Sequence, residues 1–438
     1  MAADSQKTPI VPVVIIASLF FIFGFVTWIN GSLIPFMKSV CELSDTQAYL
    51  VATASYISFV VMAIPASMIL KKIGYKNGMS VGLFLMALGA LVFIPAASSR
   101  TYILFLTGIF IQGAGMTILQ TASNPYITIL GPIESAAKRI SIMGICNKIA
   151  GMLGSVIFGF LLLDGMKEVK KKLEVVGITP EEKATILDTM ADSVVMPYLI
   201  MAAALIVLAV LIRFAPLPDI EGAPAEEVAP GETAKTSILQ YPHLLLGVLA
   251  LFAYVGAEVI AGDTIINYGL SLGIPEDKAS FFTSFTLGAM VCTYLLGVFL
   301  IPKVISQGVA LRISAILGLV FTTGILFTEG YYSVYCVAAL GIANALVWPA
   351  IWPLAINGLG SFTKTGAALL IMAISGGAII PPLYGAMVDS KKQALIAEGV
   401  DKVAAAGEAA HGQYWILFPC YLIILYYAVA GHKVGLKK

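Results

Sequence analysis

Charge is what this chain has least of. Only 12% of its 438 residues are Asp, Glu, Lys or Arg, against 59% hydrophobic, whereas a soluble domain carries roughly a quarter charged residues. That scarcity excludes an ordinary globular enzyme. A formal net charge of +1 leaves no basic surface for nucleic acid. Cysteine is scarce as well: Cys41, Cys146, Cys292, Cys336 and Cys420 are scattered without a pairing motif, mostly inside apolar runs. They read as small core residues, neither disulfides nor metal ligands. The three histidines lack metal spacing. With no nucleophile–base pair or phosphate loop at usable spacing, no catalytic residue, metal or cofactor is expected, and the chain is not expected to be an enzyme.

Apolar sequence in membrane-length runs is what the chain has in abundance. A helix needs about 20 apolar residues to cross a bilayer. That rule predicts about twelve spans, near 10–37, 46–70, 77–97, 102–130, 139–163, 194–213, 243–270, 279–301, 310–328, 332–358, 363–387 and 413–431. The first run is too long for a signal-peptide core and lacks a cleavage site, so it reads as a membrane helix. Between the sixth and seventh spans, Pro216 to Gln240 is rich in Pro, Glu, Ala and Gly, the composition of a flexible linker. The fold class expected is an all-α integral membrane protein of two pseudo-symmetric six-helix bundles, 1–214 and 241–438, joined by a cytoplasmic linker at 215–240.

Orientation follows from the short loops. Lys71, Lys72, Lys76, Lys138, Arg139, Lys303, Arg312 and Lys364 all fall on one side when the spans are threaded in order, joined by Lys433, Lys437 and Lys438 of the tail. The opposite loops are acidic or mixed, with Glu42, Asp45, Glu276 to Lys278, and Glu329. Positive residues stay inside, so both termini are expected to be cytoplasmic, and 164–192 and 390–412 become external excursions.

One design occurs twice, about half the chain apart. Residues 120–131 read Gln-Thr-Ala-Ser-Asn-Pro-Tyr-Ile-Thr-Ile-Leu-Gly, and 348–360 read Trp-Pro-Ala-Ile-Trp-Pro-Leu-Ala-Ile-Asn-Gly-Leu-Gly. In each, two large hydrogen-bonding or stacking residues sit four apart, a proline follows the second, and Leu-Gly closes the segment. Lys72 and Lys303 repeat at nearly the same offset, each ending an apolar helix. Two similar halves with polar groups at membrane depth are what alternating access in a secondary transporter requires.

Gln120 and Asn124 share one helix face, and amides in lipid need partners, so they should face the interior. Simple interhelical hydrogen bonding explains them equally well. Trp348 and Trp352 take the equivalent positions, with Asn344 one turn earlier. Amides suit hydroxyls and indole faces suit C–H surfaces, so a sugar fits both; plain packing is the competing reading for the tryptophans. Pro35, Pro125, Pro349, Pro353, Pro381 and Pro382, with Gly376 and Gly377 nearby, are expected to break their helices. Three charges fall at membrane depth: Lys148, Glu258 and Asp263. Each costs roughly 2.5–3.5 kcal/mol at a helix centre, so Lys148 is expected to pair with Glu258 or Asp263, either statically or in a coupling or gating role. Tyr254 stands one turn from Glu258, Asn267 one turn from Asp263, and Asn147 beside Lys148.

Several segments together resemble the fucose–proton symporter family of the major facilitator superfamily, in particular its glucose/galactose transporter branch. They are Phe-Gly-Phe-Val-Thr-Trp-Ile-Asn-Gly-Ser-Leu-Ile-Pro at 23–35, Leu-Lys-Lys-Ile-Gly-Tyr-Lys at 70–76, Leu-Gln-Thr-Ala-Ser-Asn-Pro-Tyr at 119–126, Tyr-Val-Gly-Ala-Glu-Val at 254–259 and Gly-Gly-Ala-Ile-Ile-Pro-Pro at 376–382, with the tryptophan–proline repeat. The resemblance implies a twelve-helix, two-bundle fold and a monosaccharide carried across a bacterial inner membrane. Family members that couple fucose to protons have an aspartate after the first-helix asparagine and a glutamate in the fourth helix. Here Gly31 and Gln120 stand there, and neither titrates. Glutamine at the second position matches the glucose/galactose relatives.

The reading is therefore a secondary transporter importing glucose, galactose or a close relative, coupled to H+ or Na+, and monomeric in the bilayer. Gln120, Asn124, Asn147, Trp348, Trp352, Asn344, Tyr254 and Asn30 are the candidate substrate residues, and Glu258, Asp263 and Lys148 the candidates for coupling or gating. An exporter of drugs or metabolites, a uniporter with Lys148 as internal counter-charge, and a non-transporting sugar sensor stay open as alternatives.

Overall fold

Sixteen helices of seven residues or more, besides a single turn at Glu276–Ala279, carry the fold in a computed structural model that describes residues 10–43, 47, 50–158, 178–217, 236–279 and 281–436. They are α1 (Ile10–Val40), α2 (Leu50–Ser99), α3 (Tyr102–Ile129), α4 (Ala136–Phe158), α5 (Pro180–Asp192), α6 (Val195–Phe214), α7 (Pro242–Asp263) and α8 (Ile265–Ser271). The second half continues with α9 (Phe282–Leu300), α10 (Gln307–Phe327), α11 (Gly330–Ala345), α12 (Val347–Ile356), α13 (Thr363–Met372), α14 (Gly376–Ala397), α15 (Lys402–Gln413) and α16 (Leu417–Val429). No strand occurs among the described residues. Most of the expected linker lies outside them.

The helices are apolar nearly all round, because their outer faces are meant for hydrocarbon and not water. Phe214 and Phe327 are 80% and 85% exposed, a placement that only a lipid-facing surface rewards. Among the described residues, ten helices or helix pairs are long and apolar enough to cross a membrane. One of them, α2, runs for 50 residues, about 75 Å at 1.5 Å per residue, against a hydrocarbon core of about 30 Å. It turns at Gly74, whose φ of 77° only glycine adopts freely, and so supplies two spans. α4, 23 residues long and largely apolar, carries Arg139 and Lys148 and is a further span. Counting it and both halves of α2, twelve spans result.

Helix breaks follow local chemistry. The expected tenth span divides into α11 and α12 at Leu346, because Pro349 has no N–H for the Ala345 carbonyl and its ring crowds that turn. The expected seventh span divides at Thr264, whose hydroxyl bonds back to the Ile260 carbonyl at 2.7 Å and meets the Tyr414 hydroxyl at 2.9 Å. Not every proline acts in this way. Pro381 and Pro382 sit inside α14 without ending it, and Pro125 inside α3; the break near the double proline is a short 3-10 turn at Ala373–Ser375.

By contact, the chain forms two compact units. One gathers Ile127–Lys148 with the second half of the chain; the other holds Val14–Tyr126 and the chain after Ile149 up to the linker. The first unit thus takes the opening half of α4, and the cut falls at Lys148. Inside it, α7 packs on α12, α14 and α16, and α10 on α11 and α16. In the second unit α2 packs on α6, and Gly82 lets the carbonyl of Gly115 approach to where a Cβ would be 2.8 Å away, the small-residue crossing typical of membrane helices.

Candidate functional site

The two candidates in α3 belong to the second unit. Asn124 is fully buried, and its amide donates to the Gln120 carbonyl at 3.0 Å, reinforcing the helix beside the turn that Pro125 weakens. Gln120 is half-buried, and its side chain has no hydrogen-bond partner among the described residues. Asn30 lies in α1, but its side chain is outside the described residues.

The first unit holds the remaining candidates. Lys148 of α4 donates from Nζ to Glu258 Oε1 of α7 at 2.6 Å, with side-chain exposures of 8% and 15%. Of the two partners expected for Lys148, the structure selects Glu258. Asp263 is exposed at the end of α7, within electrostatic reach of both charges. Asn147, beside Lys148, is half-buried.

An aromatic ladder adjoins the ion pair. Tyr254, one turn before Glu258, has its ring 6.5 Å from Trp348, and Trp348 stacks on Trp352 at 5.4 Å and 22°. Trp352 is fully buried behind Trp348, and its Nε1 has no hydrogen-bond partner. The more exposed ring of the two, and so the one within a ligand's reach, is that of half-buried Trp348. Asn344 is also fully buried; its Oδ1 accepts from the Tyr421 hydroxyl at 2.9 Å, while its Nδ2 is unpartnered. Both donors are buried without a partner among the described residues.

Three residues that the sequence did not single out matter here. Tyr294 and Tyr421, both buried, lie within electrostatic reach of Glu258. As lone aromatics in apolar helices they carry no periodic signal. Arg139 counts as a loop cation in the sequence, yet it is 4% exposed. Its guanidinium donates to the carbonyls of Ile127 (2.9 Å), Thr128 (2.6 Å), Gly131 (3.2 Å) and Pro132 (3.1 Å) and to Ser135 Oγ (2.7 Å). A fixed cation thereby satisfies the open carbonyls at the end of α3.

Long apolar helices and a buried ion pair between two of them are the features the comparisons have to account for. Residues 16–382 match the family profile of the Major Facilitator Superfamily. The chain belongs to that superfamily. It is 34% identical over 435 residues to a glucose/galactose transporter of Brucella abortus (strain 9-941), covering 98% of this chain and 96% of that one. It is 30% identical over 393 residues to the L-fucose-proton symporter of Escherichia coli K12, covering 89% of each. Among solved structures, FucP in the outward conformation superposes with a TM-score of 0.78 at 27% identity, covering 96% of this chain and 99% of that one. This facilitator is a multi-pass membrane transporter, not an enzyme.

Proposed function

We propose that this facilitator imports a neutral monosaccharide of the glucose or galactose type across a bacterial inner membrane, with both termini cytoplasmic, driven by a coupled proton. The observation that carries the reading is the Lys148–Glu258 pair, buried at 2.6 Å next to the Tyr254–Trp348–Trp352 ladder. Isolated charges at this depth are costly, so a pair is retained where charge has work to do. The relatives' names, glucose/galactose transporter and L-fucose-proton symporter, point the same way.

Trp348 offers its exposed face to the C–H side of the sugar ring; Gln120, in the other unit, stays the candidate amide for a hydroxyl that the sequence proposes. Asn147 contributes a second amide, and Asn344 and Trp352 lend their unpartnered donors directly or through water. Asn124 holds the Gln120 turn in shape. The role of Asn30 stays a proposal from the family resemblance. Glu258 carries the coupled proton, and Asp263, exposed beside it, is the group through which the proton arrives. Protonating Glu258 removes the charge that holds Lys148, and this loosens α4 from α7.

A second reading has one observation in its favour. Lys148 already neutralises Glu258, so the lysine could serve as a built-in counter-charge and the protein as a uniporter. Uptake of labelled glucose and galactose into proteoliposomes, with proton and sodium gradients imposed separately, decides between them. Accumulation under the proton gradient alone supports symport. Equilibration without accumulation under either gradient supports the uniporter.

A further inference from the structure

Gly144 lies one turn before Lys148 on the same face of α4, and a tyrosine ring occupies the space its missing side chain leaves. A Cβ placed on Gly144 would stand 2.6 Å from Cζ, 2.7 Å from Cε1 and 3.0 Å from Cε2 of Tyr294. Non-bonded carbons sit at about 3.5–4.0 Å, so the ring of α9 rests on bare backbone. Tyr294 is 4% exposed, which denies it an easy escape. Its hydroxyl end lies within electrostatic reach of Tyr254 and Glu258.

We infer that the bare backbone of Gly144 opposite the Tyr294 ring is the positioning feature that lets α4 come close enough for Lys148 to bond Glu258. A glycine inside a helix weakens it, and here the close approach of the ring is what that weakness permits. The 3-10 turn that leads into α4 is tethered independently. Gln307 Nε2 donates to the carbonyls of Ile133 and Glu134 at 2.8 and 2.9 Å. A side chain at 144 would therefore push out the middle of α4 while its beginning stayed in place. A displacement of about 1 Å is enough to turn a 2.6 Å charge-assisted hydrogen bond into a loose ion pair. Neither residue need touch sugar; both act through Lys148 and Glu258. The inference rests on the coupling role proposed for that pair.

The test uses the full-length protein in proteoliposomes, comparing gradient-driven accumulation of labelled sugar with sugar–sugar exchange. Gly144→Ala is expected to keep exchange within about twofold and to lose accumulation at least about tenfold, a split that a general packing defect does not produce. Gly144→Ala combined with Tyr294→Ala is expected to regain at least about half of the accumulation, because the second change opens the space that the first one fills. Tyr294→Phe keeps the ring, and with it accumulation. Should Gly144→Ala fail to insert, Tyr294→Trp crowds the contact from the other side and is expected to show the same loss. Normal accumulation in Gly144→Ala, no recovery in the double variant, or loss in Tyr294→Phe overturns the positioning role. A wild-type protein that never accumulates sugar removes the coupling reading first, and this inference with it.

Discussion

Lys148 and Glu258 bear the heaviest demand of any two residues in the chain, since each makes the other tolerable in the membrane. Removing one partner of a buried pair strands the other charge, at a cost of about 3–5 kcal/mol. Lys148→Met and Glu258→Gln are therefore expected to lower the amount of folded protein or its thermal stability in detergent. Lys148→Met should cost the more, because it leaves the Glu258 carboxylate facing a thioether with no donor. Glu258→Gln still leaves an amide oxygen to accept from Lys148. Lys148→Met with Glu258→Gln should recover the stability lost by Lys148→Met but not the accumulation. The stacked tryptophans divide in the same way. Trp348→Ala removes the exposed face and should raise the KM for sugar by about tenfold, roughly one stacking interaction. Trp352→Ala empties a fully buried position and should cost stability of about 3–5 kcal/mol, read as a lower melting temperature. The sequence offered both tryptophans to the sugar with plain packing as the competing reading; the structure adds that Trp352 is fully buried and Trp348 the more exposed. Arg139 shows the opposite limit, since neighbouring loop cations look alike until the carbonyls around one of them are seen.

At the scale of elements, the spans were legible because length and hydropathy dictate them, and their ends because proline and charge do. The break at Thr264 was not, as it depends on the Tyr414 hydroxyl from a distant helix. The charged segments before the sixth and the twelfth spans hold helices among their described residues. α5 is capped by Thr179 and Glu182 in a reciprocal box, and tied by Arg100–Asp188 at 2.6 Å and by Lys183–Glu42. α15 is capped by Asp401 and packs on the end of α14 through Leu395, Ala405 and Ala409. Each half thus carries a capped helix just before its last span, a second echo of the internal repeat. The backbone and then the side-chain hydrogen bond from Thr179 hold the Glu182 carboxyl below its usual range. A carboxyl lowered in the folded state stabilises above the ordinary carboxylate pKa, and that contribution disappears as pH falls through the lowered value. Protection against hydrogen exchange over 180–192, corrected for the intrinsic exchange rate, should therefore fall on acidification; Glu182→Gln should remove most of that dependence, and Thr179→Ala, which keeps the backbone donor, only the smaller side-chain part.

For the whole molecule, the two-bundle reading came from a repeat visible in the sequence, and the superfamily match supports it. The details of coupling did not come that way, because a buried ion pair between α4 and α7 joins residues 110 positions apart with no motif to announce it. Sidedness is tested by fusing a reporter active only in the cytoplasm to the C-terminus: activity is expected, and its absence would invert the topology drawn from the lysine-rich loops. The central claim, that Glu258 ties sugar movement to a proton, is tested most directly by labelled glucose and galactose uptake under an imposed proton gradient in wild-type and Glu258→Gln proteoliposomes. The account predicts that wild type concentrates sugar and that Glu258→Gln only exchanges it. Equal accumulation in both, or none in the wild type, would contradict it.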